Sequence, residues 1–296
     1  MRIMVTGAGG FIGSNLCNML AVEHQVLAIS RKFDNLSKNI ICKKYDLAEY
    51  HNLENEFSSF NPDVVIHCAW QGGNTSKDFD ALWQINNVIF GNELLKLCSK
   101  HNVKHFIGFG SGNEFGDYSE KFYEELKCQP INQYGISKYT FKMVSKKYCL
   151  DNNIKYSWVI PIFTYGPNDI ETRLIPKVIN AFLNQRDLLL NKCSAIVDYL
   201  YIDDFCKGVL QIIENELYGE FIISSDNEYQ VRNIVERIYN IIKPNSNLIF
   251  DENISEHGFR YICGTSKKLK YKSNWKPEVT LEEGLIRTIN YFKTKV

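Results

Sequence analysis

Tyr134-Gly135-Ile136-Ser137-Lys138 sets a phenol and an ammonium four residues apart, a spacing that puts both on one face of a helix. An ammonium beside a phenol lowers its pKa from about 10 and makes the tyrosine a usable acid and base near neutrality. Tyr-x-x-x-Lys alone is a weak signal, because 17 Tyr and 26 Lys give about one or two matches by chance. Four occur here, at Tyr123, Tyr134, Tyr239 and Tyr291. Only the one at Tyr134 opens a long helix-like stretch right after an apolar run and its loop. That run ends Phe106-Ile107-Gly108-Phe109-Gly110-Ser111, which puts Ser111 at the carboxyl edge of a sheet, where doubly wound folds bind ligands. A hydroxyl there would hold the oxygen that Tyr134 protonates. Ser111, Tyr134 and Lys138 form the candidate catalytic set.

A second constellation lies at the start of the chain. Thr6-Gly7-Ala8-Gly9-Gly10-Phe11-Ile12-Gly13 follows the first apolar run and opens a helix. Glycines at 7, 10 and 13 suit a tight turn, close backbone approach to a pyrophosphate, and close helix–sheet packing. At the end of the second run, an acid would bind the ribose hydroxyls of NAD. The sequence there is Ser30-Arg31-Lys32, and a guanidinium in that place suits a 2′-phosphate, which favours NADP(H) over NAD(H). An exposed basic turn is the plainer alternative. Asp46 after the third run is either an acceptor for the adenine amino group or a helix cap.

The elements that must position these residues follow from apolar patterning. Strands are expected at Arg2–Thr6, Gln25–Ser30, Asn39–Tyr45, Asp63–Cys68, Lys104–Gly110 and Lys155–Pro161, with helices near Phe11–Glu23, Glu49–Phe60, Asp78–His101 and Ile131–Asn152. Val- and Ile-rich strands alternating with helices predict right-handed βαβ units and a doubly wound parallel sheet. Past Pro167 the expected order is a helix at Arg173–Asn184, strands at Leu188–Leu190 and Tyr199–Ile202, and a helix at Asp203–Glu214. A strand at Glu220–Ser224, a helix at Val231–Ile242, a strand at Asn247–Phe250 and a helix at Leu281–Lys293 complete it. The reading is an α/β protein with a Rossmann domain over 1–165, into which 199–225 is interleaved. A smaller α/β substrate-binding lobe is expected over 166–296.

Composition fits that class. The 296 residues carry 34 Lys plus Arg against 34 Asp plus Glu, so formal net charge is zero, and 45% of residues are apolar. Neutrality argues against holding nucleic acid or anionic membrane by bulk electrostatics. With only eight Arg, anion recognition must be local. Nine Cys, an odd number without any Cys-x-x-Cys, predict buried thiols in a reducing compartment and no metal site. The N-terminus has no signal-peptide pattern and no apolar stretch nears the roughly 20 residues that span a bilayer, which predicts a cytoplasmic protein.

These residues resemble the extended short-chain dehydrogenase/reductase family in its sugar-nucleotide epimerase/dehydratase branch. The likeness runs through the glycine turn, Asp46-Leu47, His67-Cys68-Ala69, Asn87-Val88-x-x-Gly91, Ser111 to Gly116 and Tyr134-x-x-x-Lys138. It continues through Tyr165-Gly166-Pro167, Asp198 to Asp204, Gly264 to Lys267, Trp275-x-Pro277 and Leu281 to Leu285. It implies an NAD(P)-binding Rossmann domain, with Tyr134 as proton donor and acceptor, Lys138 as its electrostatic partner and ribose contact, and Ser111 as orienting hydroxyl. Further cofactor contacts are implied at Phe11, Ile12, Leu47, Cys68, Ala69, Trp70, Asn87, Pro161 and Phe163. Substrate contacts are implied at Ser111, Gly112 and Asn113, and Arg173, Lys177, Arg186 and Arg260 are candidate diphosphate cations.

Departures from the family pattern narrow the reaction. Dehydratases of the family carry an acid pair where this chain has Gly112 and Asn113, and no epimerising Cys stands at 113. Ile160, Phe163 and Val197 replace polar residues usual near the sugar. The reading is NADPH-dependent reduction of a nucleotide-linked 4-keto-(6-deoxy)sugar in polysaccharide or glycan precursor biosynthesis. The alternatives are an NAD-dependent sugar-nucleotide 4-epimerase and a non-catalytic NADP-binding regulatory protein. The two long helices resemble the family's dimer-forming bundle, so a homodimer is expected.

Overall fold

A computed structural model describes residues 1–72, 80–256, 258 and 260–295. By internal packing the chain divides into two compact units. The first joins Met1–Gly116, Glu124–Pro161 and Cys206–Phe221; the second joins Asp117–Tyr123, Ile162–Phe205 and Ile222–Val296.

Strands β1 (Arg2–Thr6), β2 (Gln25–Ser30), β3 (Ile41–Lys44), β4 (Val64–His67), β5 (His105–Phe109) and β6 (Lys155–Pro161) form the sheet of the first unit. Their order is β3-β2-β1-β4-β5-β6, and every neighbouring pair is parallel. A later strand at Gly219–Ile223 lies beyond β6. The order reverses between β1 and β4, so the carboxyl ends of these two strands flank the crevice where doubly wound sheets bind their ligands. The central strands β4 and β5 are buried along their whole length, which requires helices on both faces. The helices are α1 (Phe11–Leu20), α2 (Glu54–Phe60), α3 (Ala81–Lys100) and α4 (Gln133–Asp151).

Differences from expectation have local causes. The helix expected over Glu49–Phe60 is two pieces, a 3-10 stretch Leu47–Asn52 and then α2. A reciprocal capping box between Asp46 and Glu49 tightens the first turn into 3-10 geometry. Asp80 caps α3 by accepting from Leu82 N and Trp83 N; the Asp78 start expected for that helix falls outside the described residues. β3 is shorter than expected because it is an exposed edge on all four residues.

The second unit contains β7 (Phe163–Tyr165), α5 (Leu174–Leu183), β8 (Leu188–Leu190), β9 (Ile196–Val197) and β10 (Tyr199–Tyr201). Next come α6 (Ile202–Glu214), whose second part belongs to the first unit, and β11, the Gly219–Ile223 strand. The chain then forms β12 (Tyr229–Gln230), α7 (Val231–Ile242), β13 (Leu248–Phe250), β14 (Tyr261–Ile262), α8 (Lys267–Ser273) and α9 (Leu281–Lys293). β7 pairs with β10, β8 with β13, and β9 with both β12 and β14. Pairs this short carry little stability alone, so the unit leans on packing by Phe182, Phe205, Ile179 and Val235, all fully buried. The nine cysteines are free thiols, six of them buried. No described helix is long and apolar enough to cross a membrane.

Two buried imidazoles couple the sheet of the first unit to pH. His67 Nδ1 lies 2.7 Å from Thr6 Oγ1, and His105 Nε2 lies 2.8 Å from Ser157 Oγ. Burial, helped by the Lys138 charge, pulls His67 down to about 3; burial alone pulls His105 down to about 4. Both are neutral in the fold, whereas the unfolded chain protonates them near 6.5. Stability is therefore full above that pH and falls as pH drops toward the folded values. At pH 5 each imidazole costs about 2 kcal/mol. Urea unfolding at pH 5, 6 and 7 is expected to show this loss, and His105→Gln to flatten the slope by about one proton. An H105Q chain as pH-sensitive as the parent would contradict the assignment.

Candidate active site

The glycine turn joins β1 to α1 within the first unit. Gly7 has φ of 70°, and a Cβ there would stand 2.5 Å from Ala69 N, so the turn closes against the loop after β4. A Cβ on Gly13 would stand 2.2 Å from Gly7 O, which locks the first turn of α1 onto the loop. Gly9 is a further constraint that motif spacing alone does not single out, since its Cβ would lie 2.0 Å from Lys32 O, two residues past the end of β2. Gly10 differs from these three. It is exposed, and an added Cβ would meet only Gly7 O, at 3.2 Å. Phe11 and Ile12 follow as the first helical residues, and no side chain caps the helix. An open glycine at an uncapped helix start fits a pyrophosphate on backbone N–H groups.

Beyond β2, Arg31 reaches Asp46 across the sheet edge, with Nη1 3.7 Å from Oδ2 and a guanidinium 71% exposed. Asp46 Oδ1 accepts from Ala48 N at 3.1 Å and from Gln71 Nε2 at 3.2 Å, so the cap expected as one alternative is present. Leu47 is buried beneath it. The loop after β4 carries Cys68, Ala69 and Trp70. Asn87 on α3 holds that loop, accepting from Gln71 N at 2.7 Å and donating to Gln71 O and Trp83 O at 3.0 Å.

Ser111, Tyr134 and Lys138 all stand in the first unit, at the carboxyl end of β5 and the start of α4. Ser111 caps the short 3-10 turn Gly112–Glu114. Its Oγ accepts from Asn113 N and Asn113 Nδ2, both at 3.2 Å, which leaves the hydroxyl proton to be donated elsewhere. Asn132 caps α4 by accepting from Gly135 N at 2.8 Å, and its Nδ2 donates to Asn113 Oδ1 at 3.1 Å. A Cβ on Gly135 would stand 2.3 Å from Asn113 O. The glycine therefore lets the helix start press against the Ser111 turn and bring Tyr134 with it.

Lys138 is buried one turn along α4, and its Nζ donates to Phe109 O at 2.9 Å. The ammonium also lies 3.8 Å over the Trp70 ring and 5.8 Å from the centre of the Tyr134 ring. Trp70 and Tyr134 meet edge to face at 6.3 Å. Burial pulls Lys138 down to about 7, while the charges of Glu114 and Cys68 act to raise it.

Residues 3–223 match the NAD dependent epimerase/dehydratase family. The chain belongs to that family. It is 27% identical to the uncharacterized UDP-glucose epimerase YtcB of Bacillus subtilis, over 99% of this chain and 98% of that protein. It is 24% identical to GDP-6-deoxy-D-mannose reductase of Pseudomonas aeruginosa, over 100% of this chain and 98% of that protein. Its fold is similar to that of UDP-glucose 4-epimerase from Thermotoga maritima, solved with UDP-glucose. That likeness has a TM-score of 0.91 at 25% identity and covers 100% of this chain and 99% of the other.

The family thus supplies an NAD(P)-dependent enzyme on a doubly wound Rossmann sheet. Pro161 ends β6 in the first unit. Phe163 opens β7 in the second, stacked on Tyr199 at 5.1 Å. The candidate diphosphate cations also belong to the second unit. Arg173 precedes α5 and pairs with the buried Asp169 at 2.9 Å; Lys177 is exposed on α5. Arg260 lines a cavity of about 360 Å³ together with Asn191, Ser194 and Glu256.

Gly10 and Gly13 separate ligand from fold. Gly10→Ala is expected to unfold at the parent's temperature yet bind the dinucleotide at least about tenfold more weakly, because only the ligand needs that space. Gly13→Ala should lose both stability and affinity. Thermal melts and fluorescence titration with NADH check this; a G10A chain of parental affinity would remove the pyrophosphate from this turn.

Proposed function

We propose that the chain reduces a nucleotide-linked 4-keto-(6-deoxy)sugar with NADPH, in the making of a polysaccharide or glycan precursor. The observation that carries this reading is the supply of acids around Ser111. Tyr134, with Lys138 one turn along, can give one proton to one oxygen. Gly112 and Asn113 offer no carboxylate where elimination needs an acid pair. The carboxylate in this turn, Glu114, is fully buried and bonded inward to Trp158 and Ser111 N. One proton donor matches addition of a hydride and a proton across a single carbonyl.

A bound dihydronicotinamide would supply the hydride. Tyr134 Oη donates its proton to the carbonyl oxygen as negative charge develops there, and Ser111 Oγ donates a hydrogen bond to the same oxygen. The Lys138 ammonium stabilises the phenolate left behind, which regains its proton from solvent. The catalytic roles of Ser111, Tyr134 and Lys138 belong to this proposal, as do the cofactor contacts at Gly7 to Gly13, Arg31, Asp46 to Leu47, Cys68 to Trp70, Asn87, Pro161 and Phe163. Gly112 and Asn113 are assigned to the sugar side, and Arg173, Lys177 or Arg260 to the diphosphate. Ile85 and Ile89 on α3 and Met143 on α4 are exposed apolar residues suited to a homodimer.

The NADPH preference rests on Arg31 and on the lack of an acid at the end of β2. A dianionic 2′-phosphate would compete with Asp46 for a guanidinium that is mostly in solvent. A second reading, an NAD-dependent 4-epimerase, is favoured by the Arg31–Asp46 pair itself and by relatives described as UDP-glucose epimerases.

The purified chain is expected to oxidise NADPH stoichiometrically with a nucleotide-linked 4-keto-6-deoxy sugar. Interconversion of two 4-hydroxy epimers without net cofactor turnover would replace this reading by the second. Tyr134→Phe should lower kcat by at least about 100-fold with little change in KM. Arg31→Ser should raise the KM for NADPH about tenfold and leave that for NADH nearly unchanged. Equal effects on both cofactors would remove Arg31 from cofactor choice.

A further inference from the structure

Glu114 is a fully buried carboxylate one turn behind Ser111. Its Oε1 accepts from Ser111 N at 2.9 Å, and Trp158 Nε1 donates to both carboxylate oxygens at 3.2 Å. Lys142 Nζ stands 3.5 Å from Oε2, itself buried, and 3.2 Å from Glu220 Oε2. The exposed Lys146 closes the series at 3.1 Å from Glu220 Oε1. Charges of alternating sign therefore run from beneath the Ser111 turn to the surface.

The space is shaped for this group. A Cβ on Gly110 would lie 2.4 Å from Glu114 Oε1 and 2.5 Å from Trp158 Nε1. A Cβ on Gly108 would lie 2.4 Å from the same indole. An apolar side chain would fill such a pocket without the desolvation cost that a buried carboxylate carries. Lys138 donates to the carbonyl oxygen of Phe109, the residue before Gly110, and its charge acts on the Glu114 carboxyl. Burial works against the Lys138 ammonium, and the Glu114 carboxylate leads the opposing influences.

We propose that Glu114 is a positioning residue: it pins the Ser111 turn through a backbone N–H and sets a negative charge at the Phe109–Gly110 strand end that Lys138 also binds, with Lys142 as counter-ion. This rests on the reading of Ser111, Tyr134 and Lys138 as the acid–base set. The titratable groups around Lys138 are Glu114, Cys68, His67 and Tyr134. Those around Glu114 are Lys142, Lys138, Cys128 and Tyr156, with Glu220 behind Lys142. Removing the Glu114 charge takes away the leading influence that opposes burial at Lys138, so its proton is held less tightly.

The test follows the Lys138 ε-carbon by NMR across pH in the full-length, lysine-labelled chain, with Lys138→Met to assign the signal. Glu114→Gln keeps an acceptor for Ser111 N, and Lys142 keeps Glu220, so the fold is expected to survive. In E114Q the Lys138 midpoint should move at least about half a pH unit lower, and kcat should fall about tenfold with KM changed less than about twofold. Glu220→Gln breaks the same buried series farther out and should leave the midpoint in place. Glu114→Asp, which keeps the charge and shortens the arm, should hold the midpoint while lowering kcat; it also serves if E114Q does not fold. An unmoved midpoint in E114Q, or equal shifts in E114Q and E220Q, would overturn the proposal. Full activity in Y134F would instead sink the acid–base reading and leave the Lys138 titration to report the charge coupling by itself.

Discussion

The desolvated ammonium of Lys138 is the constraint around which the first unit's site is arranged. A lysine buried to this degree survives as a cation only where oxygens and aromatic faces replace water. Here a strand-end carbonyl, an indole face and a carboxylate do so. Each comes from a different segment: β5 offers Phe109 O, the loop after β4 offers Trp70, and the Ser111 turn offers Glu114. A single charge thus requires three neighbouring segments to end in register. The parallel pairing of β4 with β5 delivers that, because it sets their carboxyl ends side by side.

Glycine supplies the closeness this arrangement needs. At Gly110 the missing side chain makes room for Trp158 and Glu114, and at Gly135 it lets α4 begin against Asn113 O. At Gly7 and Gly13 it lets the glycine turn fold onto the loop after β4 and onto itself. At Gly7, Gly13 and Gly135 these are contacts between backbones, where neither a rotamer change nor a small shift would relieve an added methyl group. The same loop after β4 that accepts Gly7 also carries Trp70, so the glycine turn and Lys138 share a wall.

Much of this was legible in the sequence because it depends on period and spacing. The bounds of β1, β2, β6, β8, α7 and α9 coincide with the apolar patterning, as buried strands and amphipathic helices should. The strands at 196–197, 229–230 and 261–262 are two residues long, too short for alternation to register. α8 buries only Leu269 among lysines and offers no periodic face. Ser111, Tyr134 and Lys138 stand out by type and spacing, and the fold sets them at the end of β5 and the start of α4. Glu114 does not stand out, because burial of a charge has no local sequence signature. The signal lay in its companions, a lysine at 142 and glycines at 108 and 110, which only the fold brings together.

The Arg31–Asp46 pair sets residue type against geometry. By type, a guanidinium at the end of β2 selects a 2′-phosphate. By geometry it already faces a carboxylate, at a separation where an exposed pair is worth about 1 kcal/mol or less. Asp46 is also tied to Ala48 N and Gln71 Nε2, so the acid stays fixed while the arginine is free to turn. A weak exposed pair yields to a dianion, since charge-assisted bonds to phosphate are stronger than a screened contact with a carboxylate already engaged elsewhere. The fixed acid also limits the gain, because it remains close to wherever the phosphate would sit. Under the proposed reading, preference for the phosphorylated cofactor should therefore be modest and should weaken further with salt, whereas a backbone turn at Gly7 to Gly13 would serve either dinucleotide equally.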